Sequence, residues 1–89
     1  MAGKDVDECP LQSFDVHVDV ADDGVLLVRG LEAFEVGSVG SVIWRHCDGK
    51  TSIKAIAEAV TAEFDVDEEV AQRDAVQLIG ELRAAGLIE

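Results

Sequence analysis

The sequence predicts an α+β domain in which a three-stranded antiparallel sheet is followed by three helices. Three patterns carry this prediction. Apolar and polar residues alternate with period two through residues 14–20 and again through residues 31–36. An Asp23-Gly24 pair, suited to a two-residue hairpin turn, separates the first of these stretches from the apolar run Val25-Leu26-Leu27-Val28. From residue 38 onward the apolar spacing changes to three and four, the period of amphipathic helices.

The first strand presents Phe14, Val16, Val18 and Val20 on one side and Asp15, His17 and Asp19 on the other, the pattern of one buried and one wet face. Residues 25–29, VLLVR, follow as a more fully buried strand. Arg29-Gly30 breaks the run, and the third strand alternates Leu31, Ala33 and Glu35 with Glu32, Phe34 and Val36. Its two inner glutamates suit an edge position, where charge discourages indiscriminate pairing. Gly37 stops the strand, and Ser38 is placed to cap the first helix. That helix runs to about Cys47, with Val39, Val42, Ile43 and Cys47 on one face, Trp44 on its shoulder and Arg45 opposite.

Asp48-Gly49 ends the first helix, since a glycine just past a helix accepts the left-handed backbone found there. Ser52 caps the second helix, where Ile53, Ile56, Ala57, Val60 and Phe64 share a face. Asp67 caps the third, which turns Ala71, Ala75, Leu78, Ile79 and Leu82 inward as far as Gly86, and Leu87 and Ile88 fold back onto the core. Gly80 inside that helix costs about 1 kcal/mol relative to alanine, which points to a close approach by a neighbouring group. A helical pair joined by a short turn, a longer helix and an accompanying sheet together make a winged-helix-like arrangement. Residues 1–13, MAGKDVDECPLQS, have no periodicity and are expected to form a flexible N-terminal arm, with the domain spanning residues 14–89.

A chain of 89 residues accommodates one small domain. Nineteen acidic against seven basic residues give a formal charge of −12, which repels phosphate backbones and anionic lipid and so argues against nucleic acid or a membrane as partner. The longest uninterrupted apolar run in the strands falls far short of the roughly 20 residues that span a bilayer. Nothing at the start resembles a secretory signal, and Cys9 and Cys47 are too few for a disulfide scaffold, so a cytoplasmic location is expected.

The most conspicuous polar stretch is Trp44-Arg45-His46-Cys47-Asp48. Consecutive helical residues fan out by about 100° each, so these five cannot converge on one substrate. Cys47 shares a face with Val39 and Ile43 and is expected in the core with a raised pKa, while Trp44 serves as a lid on that core. His46-Cys47 lacks the second ligand pair of a zinc site. Ser13, Ser38, Ser41 and Ser52 fall in a linker, at caps and on a helix rather than on a nucleophile elbow, and Gly37-Ser-Val-Gly40 lacks the Gly-Lys-Ser/Thr ending of a phosphate loop. The expectation is a protein that is not an enzyme and uses no metal or cofactor.

The stretch VLLVRGLEAFEVGSVGSVIWRHCDGKTSIKAIAEAVTAEF, continued by DAVQLIGELRAAGLIE, resembles the PqqD-like family, the recognition elements (RREs) for precursors of ribosomally synthesised and post-translationally modified peptides (RiPPs). The resemblance covers about residues 14–89. It is carried by the strand VLLV, the strand ending at Val36, the helix closing on Cys47-Asp48-Gly49, the Ser52-Ile53-x-x-Ile56 start, and Leu82-x-x-x-Gly86-Leu87-Ile88. It implies a non-catalytic module, a peptide chaperone that binds the leader of a precursor peptide and presents it to a modifying enzyme. In the family the leader adds as a strand to the third β-strand and lies against the third helix, here residues 31–36 and about 68–84.

By that resemblance Glu32, Ala33, Phe34 and Glu35 would pair with the leader, and Arg73, Asp74, Gln77, Leu78 and Glu81 would contact it from the helix. The partner enzyme would be a leader peptidase in a lasso peptide system, which the Gly40-Ser-Val-Ile-Trp44 helix resembles somewhat more, or a radical SAM enzyme in pyrroloquinoline quinone synthesis. Two readings from other classes compete. A winged-helix DNA-binding regulator would need cations on the third helix, yet residues 67–82 offer Arg73 alone against Asp67, Glu68, Glu69, Asp74 and Glu81. A structural or dimerising subunit of a larger enzyme would instead show a permanent interface.

Overall fold

Turn chemistry and alternation yield β1 (His17–Ala21), β2 (Gly24–Arg29) and β3 (Glu32–Gly37), antiparallel and in that spatial order, in a computed structural model that describes residues 6–89. Helices α1 (Ser38–Arg45), α2 (Ile53–Glu63) and α3 (Glu68–Ala84) follow. The expected α+β class, three strands and then three helices, is the observed one. Val25 pairs with Val36 and Leu27 with Phe34, which turns those four side chains toward the helices. There Leu27 meets Ile43, Ile56, Ile79 and Leu82 in one core, each side chain contributing about 1.5–3 kcal/mol by its burial. Leu87 and Ile88 fold back into the same core, as their spacing after Gly86 predicts.

The first strand departs from expectation. Register places Val18 opposite Leu27 and Val20 opposite Val25, on the helix-facing side. No helix reaches across β1, however, so all five of its residues are exposed and Val20 keeps 88% of its surface. The strand begins at His17 rather than at Phe14, which is itself 93% exposed. Period-two alternation is present; the layer that would cover it stops over β2.

Of the expected flexible arm, residues 1–5 lie outside the described residues, and residues 6–13 are part of the fold. Lys54 N donates to Val6 O (3.0 Å) and Ile53 N to Glu8 O (2.9 Å), so this segment satisfies N–H groups that the first turn of α2 leaves without helical partners. Gly49 N donates to Pro10 O, Gln12 N to Cys47 O, Ser13 N to Leu87 O, and Glu89 N to Leu11 O. Pro10 is buried. Hydrophobic periodicity could not reveal this segment because it is held by backbone bonds, by side-chain bonds from Gln12 and Ser13 to Trp44 O and Gly86 O, and by isolated contacts of Val6 and Pro10 that form no repeating apolar face.

The polar stretch after α1 builds a corner. Trp44 and Cys47 are buried, and Cys47 Sγ donates to Ile43 O at 3.2 Å. His46 Nδ1 lies 2.8 Å from Val42 O, and Arg45 pairs with Glu63 at 3.8 Å. Asp48 Oδ1 accepts from Lys50 N and Thr51 N at 2.9 Å each, and these bonds hold its carboxyl below the usual carboxylate range. Gly49, at φ +78°, takes the left-handed conformation that reverses the chain. Ser52 Oγ then accepts from Ala55 N at 3.1 Å, the expected cap of α2. At the other two helix starts the cap residues are Gly37 and Asp67, neither with a side-chain cap bond, so Ser38 opens α1 instead of capping it.

Burial, reinforced by the nearby Asp48 charge, pushes the Cys47 thiol up to about 12. At pH 8 only about one molecule in 10⁴ then carries the thiolate, so a thiol reagent should label exposed Cys9 in the native protein and reach Cys47 only on unfolding. Because the folded pKa lies above the ordinary thiol value of 9.0, this stabilisation is complete below pH 9 and declines as pH rises toward about 12. Urea melts should therefore weaken over that range, and less so in Cys47→Ala.

Candidate functional site

Strand β3 pairs with β2 along one edge, and among the described residues its other edge carries no strand. The α-carbons of α3 nowhere approach within 8 Å of those of β3, whereas α1 touches both. An open groove of about 570 Å³ results. Phe34, Glu35, Val36 and Gly37 form one wall, Ser38, Val39, Gly40 and Ile43 of α1 the floor, and Asp74, Leu78 and Glu81 of α3 the far wall.

Local sequence explains the arrangement. Gly37 ends β3 and Ser38 begins α1 with no loop between them, so α1 turns directly across the end of the sheet. Gly40 permits the approach: a Cβ there would stand 2.9 Å from Val36 Cβ and 3.3 Å from Leu78 Cδ2, closer than packed carbons tolerate. Gly40 thus sits where three elements converge. Gly80, expected to mark a close approach, faces open space, with nothing within 4 Å of where its Cβ would lie.

The groove is apolar within and acidic at its rim. Phe34, Val39 and Leu78 are half-buried against the core, while Glu35, Asp74 and Glu81 are exposed. Glu81 Oε2 accepts a bond from Gln77 Nε2 at 3.4 Å. Among the described residues, none of the three groove carboxylates enters an ion pair. No lysine or arginine among the described residues lines the groove. No group of three or more His, Cys, Asp or Glu among the described residues is arranged to hold a metal ion, and no helix is long and apolar enough to cross a membrane.

Of the residues singled out from sequence, Phe34, Glu35, Asp74, Leu78 and Glu81 line this one groove. Gln77 joins Asp74, Leu78 and Glu81 in a shallow depression along α3. Arg73 does not reach the groove and lines another depression with Val6, Glu69, Gln72, Val76 and Gln77. Glu32 and Ala33 border a small cavity beside Arg29, Ala85 and Leu87. Sequence reasoning missed the end of the β3 wall, Val36 and Gly37, and the floor formed by Ser38, Val39, Gly40 and Ile43. Its signal was the Gly37-Ser-Val-Gly40 junction, informative as a strand meeting a helix without a loop.

The family model described as coenzyme PQQ synthesis protein D (PqqD) matches residues 23–88. Among solved structures, TbiB1 in complex with the TbiA(beta) leader peptide is 28% identical, with 89% of this chain and 94% of that one covered and a TM-score of 0.77. A lasso peptide synthetase B1 complexed with the leader peptide is 22% identical, with 91% and 98% covered and a TM-score of 0.78. The PqqD truncation of Methylobacterium extorquens PqqCD, described as a functional and stand-alone RiPP recognition element, is 17% identical, with 99% and 95% covered and a TM-score of 0.80. At the last two identities the likeness is one of fold. No curated protein matches the chain.

The two glycines should respond oppositely to alanine. Gly40→Ala forces α1 away from Val36 and Leu78 and should cost about 1–3 kcal/mol in chemical denaturation. Gly80→Ala meets no neighbour and should add roughly 0.5–1 kcal/mol through helix propensity.

Proposed function

The chain belongs to the PqqD family, and from that premise we propose that it binds the leader of a ribosomally synthesised precursor peptide, without catalysing a reaction itself, by accepting it as a fourth strand on β3 beside α3. The observation that carries the proposal is the unpaired β3 edge with an apolar groove running along it. An extended peptide can satisfy the free backbone groups of that edge while its alternate side chains enter the groove, so the main chain supplies affinity and the side chains selectivity. The opposite edge, β1, is also free, but its residues are exposed throughout.

In this reading Glu32, Ala33, Phe34 and Glu35 offer backbone pairing, and Phe34 and Leu78 grip apolar side chains. Asp74, Gln77 and Glu81 form the far rim, and Arg73 stands outside the contact. The TbiB1 complex, 28% identical, supports a leader peptide as the ligand. The bound leader would then be presented to a modifying enzyme. A lasso-type leader peptidase is favoured by the Gly40-Ser-Val-Ile-Trp44 segment. The family model's description supports a second reading, delivery to a radical SAM enzyme of pyrroloquinoline quinone synthesis. DNA recognition is disfavoured by α3, whose first turn carries Glu68 and Glu69 where a phosphate-binding helix needs cations.

Titrating the ¹⁵N-labelled protein with the leader of a precursor encoded beside its gene should shift amides of β3 and α3 and leave α2 unchanged. Leu78→Ala should weaken binding by about tenfold, the equivalent of about 1.4 kcal/mol of lost apolar contact. Leader binding that perturbs neither β3 nor α3 would sink the proposal.

A further inference from the structure

We infer that the segment captured by the β3–α3 groove alternates apolar with basic side chains, and that its positive charge contributes to its selection; this rests on the peptide-recognition reading above. A strand added to β3 continues both faces of the sheet. On the helix-facing side the row Val18–Leu27–Phe34 leads to the groove, where Leu78, Val39 and Ile43 present apolar surface. On the outer side, which no helix covers, the rows are His17–Val28–Ala33 and Asp19–Leu26–Glu35. Every second residue of the added strand therefore enters an apolar trough, and the residues between stand beside Ala33 and Glu35.

Charge decides what those intervening residues should be. Asp19 in the outer row lies 2.9 Å from His17, but Glu35, nearest the added strand, enters no ion pair among the described residues. Across the groove, Asp74 and Glu81 are seven residues apart on α3, or about 10 Å along its axis, and extend the acidic rim along the added strand. Glu35 is the carboxylate the intervening residues stand beside, while Asp74 and Glu81 act on them from across the strand, through the negative field of the groove rim rather than by direct contact. Of the described cations, Arg29 pairs with Asp15, Arg45 with Glu63 and Arg83 with Glu8, and Lys50, Lys54 and Arg73 do not line the groove. An acidic peptide would face three carboxylates with no countercharge, whereas a basic one would supply it.

The test uses three end-blocked peptides of equal length, alternating leucine and valine with lysine, glutamine or glutamate, titrated into the full labelled chain alongside the leader. The lysine peptide should shift β3 and α3 amides with about tenfold higher affinity than the glutamine peptide, and the glutamate peptide should be weaker still. That preference should shrink as salt rises from about 50 mM to about 500 mM. It should vanish in the exposed-site triple variant Glu35→Gln, Asp74→Asn, Glu81→Gln and persist in Glu58→Gln on α2, which separates local selection from attraction to the net charge. Equal affinity for the three peptides, a lysine preference unaffected by the triple variant, or lysine-peptide shifts confined to other faces overturns the charge inference. If the leader still moves β3 and α3 in those cases, peptide recognition stands without it; if neither the leader nor any peptide moves them, the recognition reading falls as well.

Discussion

The junction between Gly37 and Ser38 is the constraint on which the rest depends. A strand that becomes a helix with no intervening loop forces α1 across the end of the sheet, and α1 in turn holds α3 away from β3. Among the described residues the β3 edge is therefore left without a strand partner, and its backbone donors and acceptors are open to water or to another molecule. Gly40 sets how deep the floor can lie, because any side chain there would meet Val36 and Leu78. An apolar trough beside an unpaired strand is a liability unless it is guarded, and the carboxylates of Glu35, Asp74 and Glu81 stand at its rim.

Elsewhere the chain closes on itself. Asp48 ties the turn between α1 and α2, and the segment from Val6 to Ser13 laces the start of α2 to that turn and to the C-terminal residues. The residues with the most chemical appearance, Trp44 to Asp48, are thereby fixed as structure, and the Cys47 thiol is held protonated by its burial. The proposed binding surface lies instead where side chains are individually ordinary and, among the described residues, the β3 backbone edge is unpaired.

Much of this was legible from sequence because periodicity reports directly on burial. The three helices, the Ser52 cap, the Asp48-Gly49 corner and the inward faces of β2 and β3 all follow from spacing alone, and so does the core placement of Cys47 and Leu82. Failures occurred where periodicity has no purchase. The pattern in β1 is real but cannot say whether a second layer extends over Val20. Residues 6–13 are held by main-chain bonds and scattered side-chain contacts that no periodic pattern encodes. Gly80 and Gly40 are indistinguishable as letters; only the positions of Val36 and Leu78 tell which one is crowded. Within the candidate site, five of the singled-out side chains share the groove because they face one gap, while Arg73, adjacent to Asp74, projects elsewhere on α3.

Amide hydrogen exchange along β3 is the most direct probe of whether this edge accepts an extended chain. With the leader bound, the β3 amides that point away from β2 should become strongly protected, since they would gain cross-strand partners, and amides of β1 should exchange as before. Unchanged exchange along β3 at saturating leader, or protection appearing on β1 instead, would contradict the account.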